Sequence, residues 1–120
     1  MSTLENEDLL NAVKQGSYVR DGRIFKIDIY ETEQETVAID IYIKPISQKQ
    51  YSELRLRFMH VNEYSFYYRS DSYFYYIENF KLFKSGEFFY ASFDPVDETD
   101  TLNQEDQDYV IAQSIEGQFV

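Results

Sequence analysis

Apolar and polar residues alternate along the middle of the chain, most clearly from Val37 to Lys44. Valine and isoleucine occupy every second position there, and alanine, aspartate, tyrosine and lysine stand between them. Successive side chains of a strand point to opposite faces of a sheet, so a period of two predicts half-buried strands. The same alternation predicts strands over Arg23 to Glu31 and Tyr51 to His60. Asp21-Gly22 predicts a tight turn that pairs Ser17 to Arg20 with the first of them.

A helical pattern precedes these strands at the start of the chain. Ser2 or Thr3 can cap a helix, and Glu5 follows Ser2 at the spacing of a capping box. Gly16 is a residue type at which helices end. The apolar stripe at helical spacing consists of Leu9, Leu10 and Val13. We therefore expect one short helix over residues 1–16 that packs on an edge or a face of the sheet.

The 10 phenylalanines and 12 tyrosines are concentrated between Tyr64 and Phe93. Aromatic side chains favour strands because they fit a pleated, half-buried surface. Polar residues and glycine divide the region into predicted strands over Tyr64 to Arg69, Tyr73 to Glu78, Phe80 to Lys84 and Glu87 to Phe93. Since one face of each strand is core, other aromatics must lie on an outer surface, or under the helix or a second subunit. The candidates for that outer surface are Tyr67, Tyr73, Tyr75 and Tyr90.

The pattern as a whole predicts a single all-β domain over residues 1–120. About eight strands at spacings of about 8 to 12 residues are typical of a sandwich or a barrel. The predicted fold is mainly β with one short N-terminal helix, arranged as an antiparallel β-sandwich or a partly open barrel. Its parts are the helix at 1–16, strands at 17–93, an acidic loop at 94–107 and a terminal strand at 108–120 whose end Gly117 loosens.

Composition indicates a packed globule in a reducing compartment. Hydrophobic residues make up 43% of the chain, with Gly 4 and Pro 2, which is typical of a folded domain. The absence of cysteine excludes disulfides, thiolate zinc sites and a cysteine nucleophile. The first residues lack a signal peptide's basic and apolar regions, and no later apolar run approaches the roughly 18 residues that cross a bilayer. We expect a soluble cytoplasmic protein.

Charge is strongly negative and unevenly placed. The net charge is −11, and no lysine or arginine follows Lys84. A chain this acidic is repelled by phosphate backbones and by anionic lipid, so we expect neither a nucleic acid nor a membrane as partner. A basic protein is favoured instead.

The residue types needed for catalysis are sparse. His60 is the only histidine, no serine stands in a GxSxG motif, and the four glycines are isolated, so no glycine-rich phosphate loop exists. The carboxylates cluster in one loop rather than at positions that predict a cleft. We therefore predict no catalytic residue, no cofactor and no enzymatic activity.

The acidic loop permits two interpretations. Carboxylate oxygens are the ligands that calcium prefers, and the candidate ligands are Asp94, Asp97, Asp100 and Asp106, with Glu98 beside them. No glycine falls within this run, so the EF-hand pattern is missing. Alternatively, the run is a solvated loop that keeps the protein soluble.

Two arginines lie on the predicted outer face of the strand from Tyr51 to His60. Arg55 and Arg57 alternate with core residues, and we expect them to pair with acids such as Asp28 or Asp40 on neighbouring strands rather than to form an anion pocket.

Surface tyrosines suit a carbohydrate platform or a protein interface. Tryptophan, the strongest carbohydrate platform, is absent, which favours a protein partner. The same aromatics could also form a homodimer.

The segment from Phe89 to Gly117 contains an aromatic strand that ends in Asp-Pro, an acidic loop and an acidic entry into a final strand. In this it resembles small acidic bacterial proteins of unknown biochemistry, some of which are immunity proteins encoded beside secreted toxins. The resemblance implies inhibition of a toxin by direct binding. Independently, an acidic domain without catalytic groups suits an inhibitor of a basic nuclease. The predicted partner-binding residues are Asp97, Glu98, Asp100, Glu105, Asp106, Asp108, Tyr67, Tyr73, Tyr75 and Tyr90.

Overall fold

A computed structural model describes residues 2–15, 18–46, 50–71 and 76–120. The secondary structure over these ranges is mostly strand, which confirms the all-β prediction. The elements in chain order are β1 (Ser2–Glu5), α1 (Asn6–Gln15), β2 (Arg23–Glu31), β3 (Val37–Lys44), β4 (Leu54–Ser65), β5 (Lys81–Ser85), β6 (Phe88–Asp94) and β7 (Gln107–Phe119).

The strands of the described ranges join in one antiparallel sheet of seven strands that does not close into a barrel. Their order is β2-β3-β4-β7-β6-β5, and β1 also pairs with β7. The last strand of the chain is therefore central: β4 lines one side of it, while β6 and β1 share the other side. β6 pairs with the first half of β7 and β1 with its second half.

The alternation of apolar and polar residues predicted the positions of β2 and β3 along the chain correctly. Their bounds equal the predicted ones, and the isoleucines of β3 pack in the core with Leu54, Leu56 and Phe58 of β4. β4 continues to Ser65, through the interval between two predicted strands. His60, the last residue of the first of these predicted strands, has a φ of 52°. The core-facing side of β4 changes at this residue: Phe58 before it is buried, and Val61 after it is partly buried against the core.

The prediction of a hairpin at Asp21-Gly22 is wrong. Residues 18–20 form no strand, and the residues just before β2 instead form backbone hydrogen bonds with Ile77. The Asp21 N–H donates to the Ile77 carbonyl at 2.6 Å, and the Ile77 N–H donates to the Gly22 carbonyl at 2.9 Å. Gly22 is required for packing, since a Cβ there would lie 2.8 Å from the Val19 carbonyl oxygen. Ser17 and the first half of the predicted Tyr73 to Glu78 strand lie outside the described residues, and residues 76–78 contribute one isolated bridge and no strand.

The N-terminal helix begins later than its capping residues predicted. Residues Ser2–Glu5 form β1, because their backbone pairs with β7, and the helix starts at Asn6. The Asn6 side chain accepts a hydrogen bond from the Ile115 N–H at 3.0 Å. The predicted helix end at Gly16 lies outside the described residues.

α1 packs on the face of β7 at Gly117, which corrects the prediction that this glycine loosens the strand end. Gly117 pairs with Leu4 on one side and with Leu56 on the other. A Cβ at this position would lie 2.4 Å from Leu9 Cδ1, and Leu9 is fully buried. Glycine is therefore the residue that lets the helix approach the sheet so closely.

None of the described helices is long and apolar enough to span a bilayer.

Candidate functional site

The acidic loop, residues 94–107, folds over a buried lysine at the start of β5. Lys81 Nζ lies 2.9 Å from Asp106 Oδ2 and 3.2 Å from Asp97 Oδ1, and it donates to the Thr101 carbonyl at 2.9 Å. The side chains of Lys81 and Asp106 are both completely buried. This ammonium therefore has three oxygen partners in the loop, which suits its three donors.

Tyr90 and the loop backbone complete the polar cluster around Asp106. The Tyr90 hydroxyl donates to Asp106 Oδ2 at 2.8 Å, and the Val96 N–H donates to Asp106 Oδ1 at 2.9 Å. Tyr90 is only 4% exposed. The prediction of Tyr90 as a surface residue is wrong, because the acidic loop covers the second face of β5 and β6.

The pKa values in this cluster follow from burial opposed by hydrogen bonds. Burial acts to raise the pKa of Asp106, but hydrogen bonds from Lys81, Val96 and Tyr90 outweigh it, and the pKa is lowered. For Lys81, burial acts to lower the pKa, and the bonds to Asp106 and Asp97 raise it above the ordinary value. Burial and the bond to Asp106 raise the pKa of Tyr90. The cluster is thus a stable ion pair with a neutral phenol at neutral pH.

Two further ion pairs connect the acidic loop to the N-terminal part of the chain. Lys14 of α1 lies 2.6 Å from Asp100, and Arg20 pairs with Glu98. Of the predicted partner-binding acids, Asp97, Glu98, Asp100 and Asp106 are therefore engaged within the chain. The sequence did not indicate this, because the basic partners lie far away along the chain.

These pairs cross a cleft of about 480 Å³ between α1 and the loop. Its apolar lining residues are Val13, Val19, Phe80 and Leu82, and its charged lining residues are Lys14, Arg20, Lys81, Glu98 and Asp100. Each of these charged groups pairs with an opposite charge of the same chain. The cleft therefore presents no unpaired charge to a ligand.

The predicted calcium ligands are not brought together. Within the described ranges no group of three or more histidine, aspartate or glutamate side chains lies close enough to hold a metal ion. Asp97, Asp100 and Asp106 bind lysines instead. Asp94 is exposed at the end of β6.

Asp108 and Tyr67, both predicted from sequence, are in direct contact. The Tyr67 N–H donates to Asp108 Oδ1 at 2.8 Å. Asp108 is 6% exposed, so it is not itself a docking group. Burial raises its pKa to about 6, with the Tyr67 N–H opposing and Asp94 adding to the shift. Asp108 thus anchors the segment that follows β4 to the start of β7.

Three tyrosines at the end of β4 and in the anchored segment that follows it are exposed. The exposed fractions are 43% for Tyr64, 52% for Tyr67 and 54% for Tyr68. The Tyr64 ring lies 5.7 Å from that of Phe66, between centroids. Exposed Asp94 lies near Asp108, the anchor of this segment, since it pairs with Gln107 from the β6 side of β7. We call Tyr64, Tyr67, Tyr68 and Asp94 the tyrosine surface.

The other predicted binding residues fall in two groups. Glu105 is exposed, and no described lysine or arginine forms an ion pair with it. Tyr73 and Tyr75 lie outside the described residues.

Of the two arginines of β4, Arg57 pairs with an acid as predicted and Arg55 does not within the described ranges. Arg57 donates to both carboxylate oxygens of Asp40, from Nε at 2.9 Å and from Nη2 at 3.1 Å. These hydrogen bonds raise the pKa of Arg57. Arg55 has no acid partner among the described residues: its guanidinium lies 4.7 Å from the ring centroid of Tyr42. Arg57 is thus held by a pair within the sheet, while Arg55 packs on an aromatic ring and its Nε has no hydrogen-bond partner in the part of the chain that the structure describes.

Comparisons with known protein families, with curated proteins and with solved structures give no match for this chain.

Proposed function

We propose that this chain is a non-enzymatic, cytoplasmic protein-binding module that recognises a basic protein through the tyrosine surface. The observation that carries the proposal is the bond between Asp108 and the Tyr67 backbone, which fixes exposed tyrosines beside Asp94. Tyrosine offers contact area and a hydroxyl at low entropic cost, and it is enriched at energetically important interface positions. Anchoring reduces the ordering cost of binding further.

Electrostatic steering supports a basic partner. An ion pair within the chain adds nothing to the net charge, so the value of −11 remains. A long-range field of this sign accelerates encounter with a positive surface, and salt weakens the effect. The role assigned to the acidic loop changes, however: its carboxylates contribute to the field, while the direct contacts come from the tyrosine surface.

An inhibitor of a toxin or nuclease is the specific form of this proposal. Active sites that act on phosphate backbones carry positive charge. An acidic domain with rigid tyrosines can cover such a site without any chemistry of its own. The resemblance of the segment Phe89 to Gly117 to immunity proteins points in the same direction.

A comparison of three immobilised baits tests the proposal: the wild-type chain, the variant Tyr64→Ser/Tyr67→Ser, and the control Tyr76→Ser. Tyr76 is also exposed but lies outside the tyrosine surface. Each bait is incubated with lysate of the source organism, and bound proteins are identified by mass spectrometry. We expect a basic protein that the wild type and the control retain and the double variant loses.

Measurements on the purified chain and the recovered protein then test electrostatic steering and inhibition. The association rate constant with the recovered protein should fall steeply as salt rises from low to physiological concentration. If that protein is a nuclease, addition of the chain should abolish its activity. Recovery of no protein that distinguishes the double variant from the control contradicts the proposal.

A further inference from the structure

β2 forms one end of the sheet, and most of its outer edge is unpaired within the described ranges. The one bridge on that edge joins Arg23 and Tyr76. Apolar side chains along the strand are exposed, with Phe25 at 40% and Ile29 at 46%. An edge strand with unpaired backbone groups is a template for another strand.

The sequence of β2, RIFKIDIYE, is complementary to itself when reversed. Ile27 is its centre. Lys26 on one side corresponds to Asp28 on the other. Arg23 does not take part in this pairing, because it already bridges Tyr76 on the same edge. A two-fold axis through Ile27 therefore places opposite charges across from each other in an antiparallel pair.

The conformation of β2 places Lys26 and Asp28 on one face. A bulge between Ile24 and Lys26 precedes a regular segment in which Lys26 aligns with Tyr42 and Asp28 with Asp40. Lys26 and Asp28 both reach Tyr42: Lys26 Nζ lies 5.2 Å from the ring centroid, and the Tyr42 hydroxyl donates to Asp28 at 3.2 Å. Lys26 Nζ lies 3.6 Å from Asp28 Oδ2 of the same chain, and both side chains are half-exposed on the solvent-facing side of the sheet, from which they can also reach a neighbouring strand.

Other two-fold registers lack this complementarity. A pairing centred on Lys26 sets two ammonium groups opposite each other, and one centred on Asp28 sets two carboxylates opposite each other. Directly opposed like charges destabilise a strand pair, while opposite charges stabilise it. A pairing centred on Ile29 leaves both charges without an opposite partner. Of these registers, the one centred on Ile27 alone sets each of the two charges opposite an unlike charge of the other copy.

We propose that two copies of this chain associate through their β2 strands, antiparallel and centred on Ile27, into one continuous two-fold symmetric sheet. Lys26 of each copy pairs with Asp28 of the other, and each outer edge gains a ladder of backbone hydrogen bonds. The tyrosine surface lies beyond β3 and β4 in the strand order, away from this edge. The dimer therefore displays two copies of that surface, and the inference does not depend on the proposed function.

Charge exchange tests the register. Sedimentation equilibrium of the wild type over a range of concentrations should show a monomer–dimer equilibrium. Lys26→Asp sets aspartates opposite each other at both symmetry-related positions, and Asp28→Lys sets lysines there. Each variant alone should weaken the dimer about tenfold or more.

The mixture of the two variants gives the decisive result. Lys26→Asp opposes Asp28→Lys with complementary charges at both positions, so an equimolar mixture should form a heterodimer at concentrations at which each variant alone is mostly monomeric. This outcome also demonstrates that both variants are folded. Glu33→Lys, in the turn after β2, alters charge without entering the pairing and should leave the dimer intact.

A wild type that stays monomeric at every concentration overturns the proposal. A dimer that survives in both single variants places the interface elsewhere and overturns it as well. Single variants that fold, as judged by circular dichroism, and stay monomeric when mixed disprove the Ile27 register.

Discussion

Lys81 Nζ and Asp106 Oδ2 lie 2.9 Å apart, and neither side chain is accessible to solvent. The ammonium comes from the start of β5 and the carboxylate from the end of the acidic loop. Removal of one partner of a buried pair leaves the other charge without compensation, which is far more costly than the net value of the pair. This contact therefore determines whether the loop stays folded on the sheet.

The variant Lys81→Met should lower the free energy of unfolding by about 3–5 kcal/mol, because Asp106 keeps its burial and loses its cation. Urea denaturation at pH 7 measures this loss. Lys14→Met is the matched control: its pair with Asp100 is half-exposed on both sides, and such pairs contribute about 1 kcal/mol or less. Equal losses in the two variants are inconsistent with this account.

Tyr90→Phe removes one hydrogen bond from buried Asp106 and retains the ring contact with Phe83, whose centroid is 5.2 Å away. We expect a loss of about 1–2 kcal/mol in unfolding free energy, the cost of a buried acceptor that loses a partner. Tyr67→Phe alters an exposed residue and should change stability by about 0.5 kcal/mol at most. Thermal or urea unfolding of both variants provides the comparison, and a neutral Tyr90→Phe contradicts the assignment.

The free energy of unfolding should decrease as the pH rises from about 4 to about 6, because Asp108 loses its proton over this range. Its pKa is about 6 in the folded chain, against an ordinary value of 3.8. In that window the folded state binds a proton that the unfolded state has released, so stability decreases as pH rises and levels off above the folded pKa. Asp108→Asn keeps an acceptor for the Tyr67 N–H and removes the buried charge.

We therefore expect Asp108→Asn to be more stable than the wild type at pH 7, by on the order of 1–3 kcal/mol. The difference should shrink toward zero near pH 4, where the wild-type carboxyl is protonated. Urea titrations at pH 4 and pH 7 measure both. The exposed acid Glu105 supplies the control Glu105→Gln, which should lack this pattern. A constant difference at both pH values excludes the explanation by proton linkage.

Gly117→Ala tests the close approach of α1 to β7. The added methyl group would stand 2.4 Å from Leu9 Cδ1. Leu9 is fully buried and cannot move away freely. We expect a loss of about 1–3 kcal/mol from overpacking. In a Leu9→Ala background the same substitution should cost little, and a double-mutant cycle from urea denaturation gives the coupling energy. Additive losses mean that the two residues are not in contact in solution.

The sequence predicted the local elements better than their tertiary partners. Alternation defined β2 and β3 at both ends, although only β3 buries a row of isoleucines; in β2, Ile24 is buried while Phe25 and Ile29 are exposed. β1 was missed, since Ser2–Glu5 becomes a strand only by pairing with β7 at the opposite end of the chain. Tyr90 was misplaced for a related reason: its face of β6 is covered by a loop, and alternation says nothing about what a loop covers.

The same limit applied to the candidate site. Acidic residues without nearby bases in the sequence suggested free carboxylates, yet Lys14, Arg20 and Lys81 reach them across the fold. The contact between Asp108 and Tyr67 joins two residues that were predicted separately. Nothing in the sequence connected them, since the bond depends on how the end of β4 lies against the start of β7.

The central position of β7 also has a consequence during synthesis of the protein. A ribosome releases β4 and β6 before the strand that separates them exists. Until β7 emerges, each strand has one edge without backbone partners and an apolar face that other nascent chains can contact. Chaperone occupancy of the growing polypeptide should accordingly be highest just before residues 107–119 leave the exit tunnel.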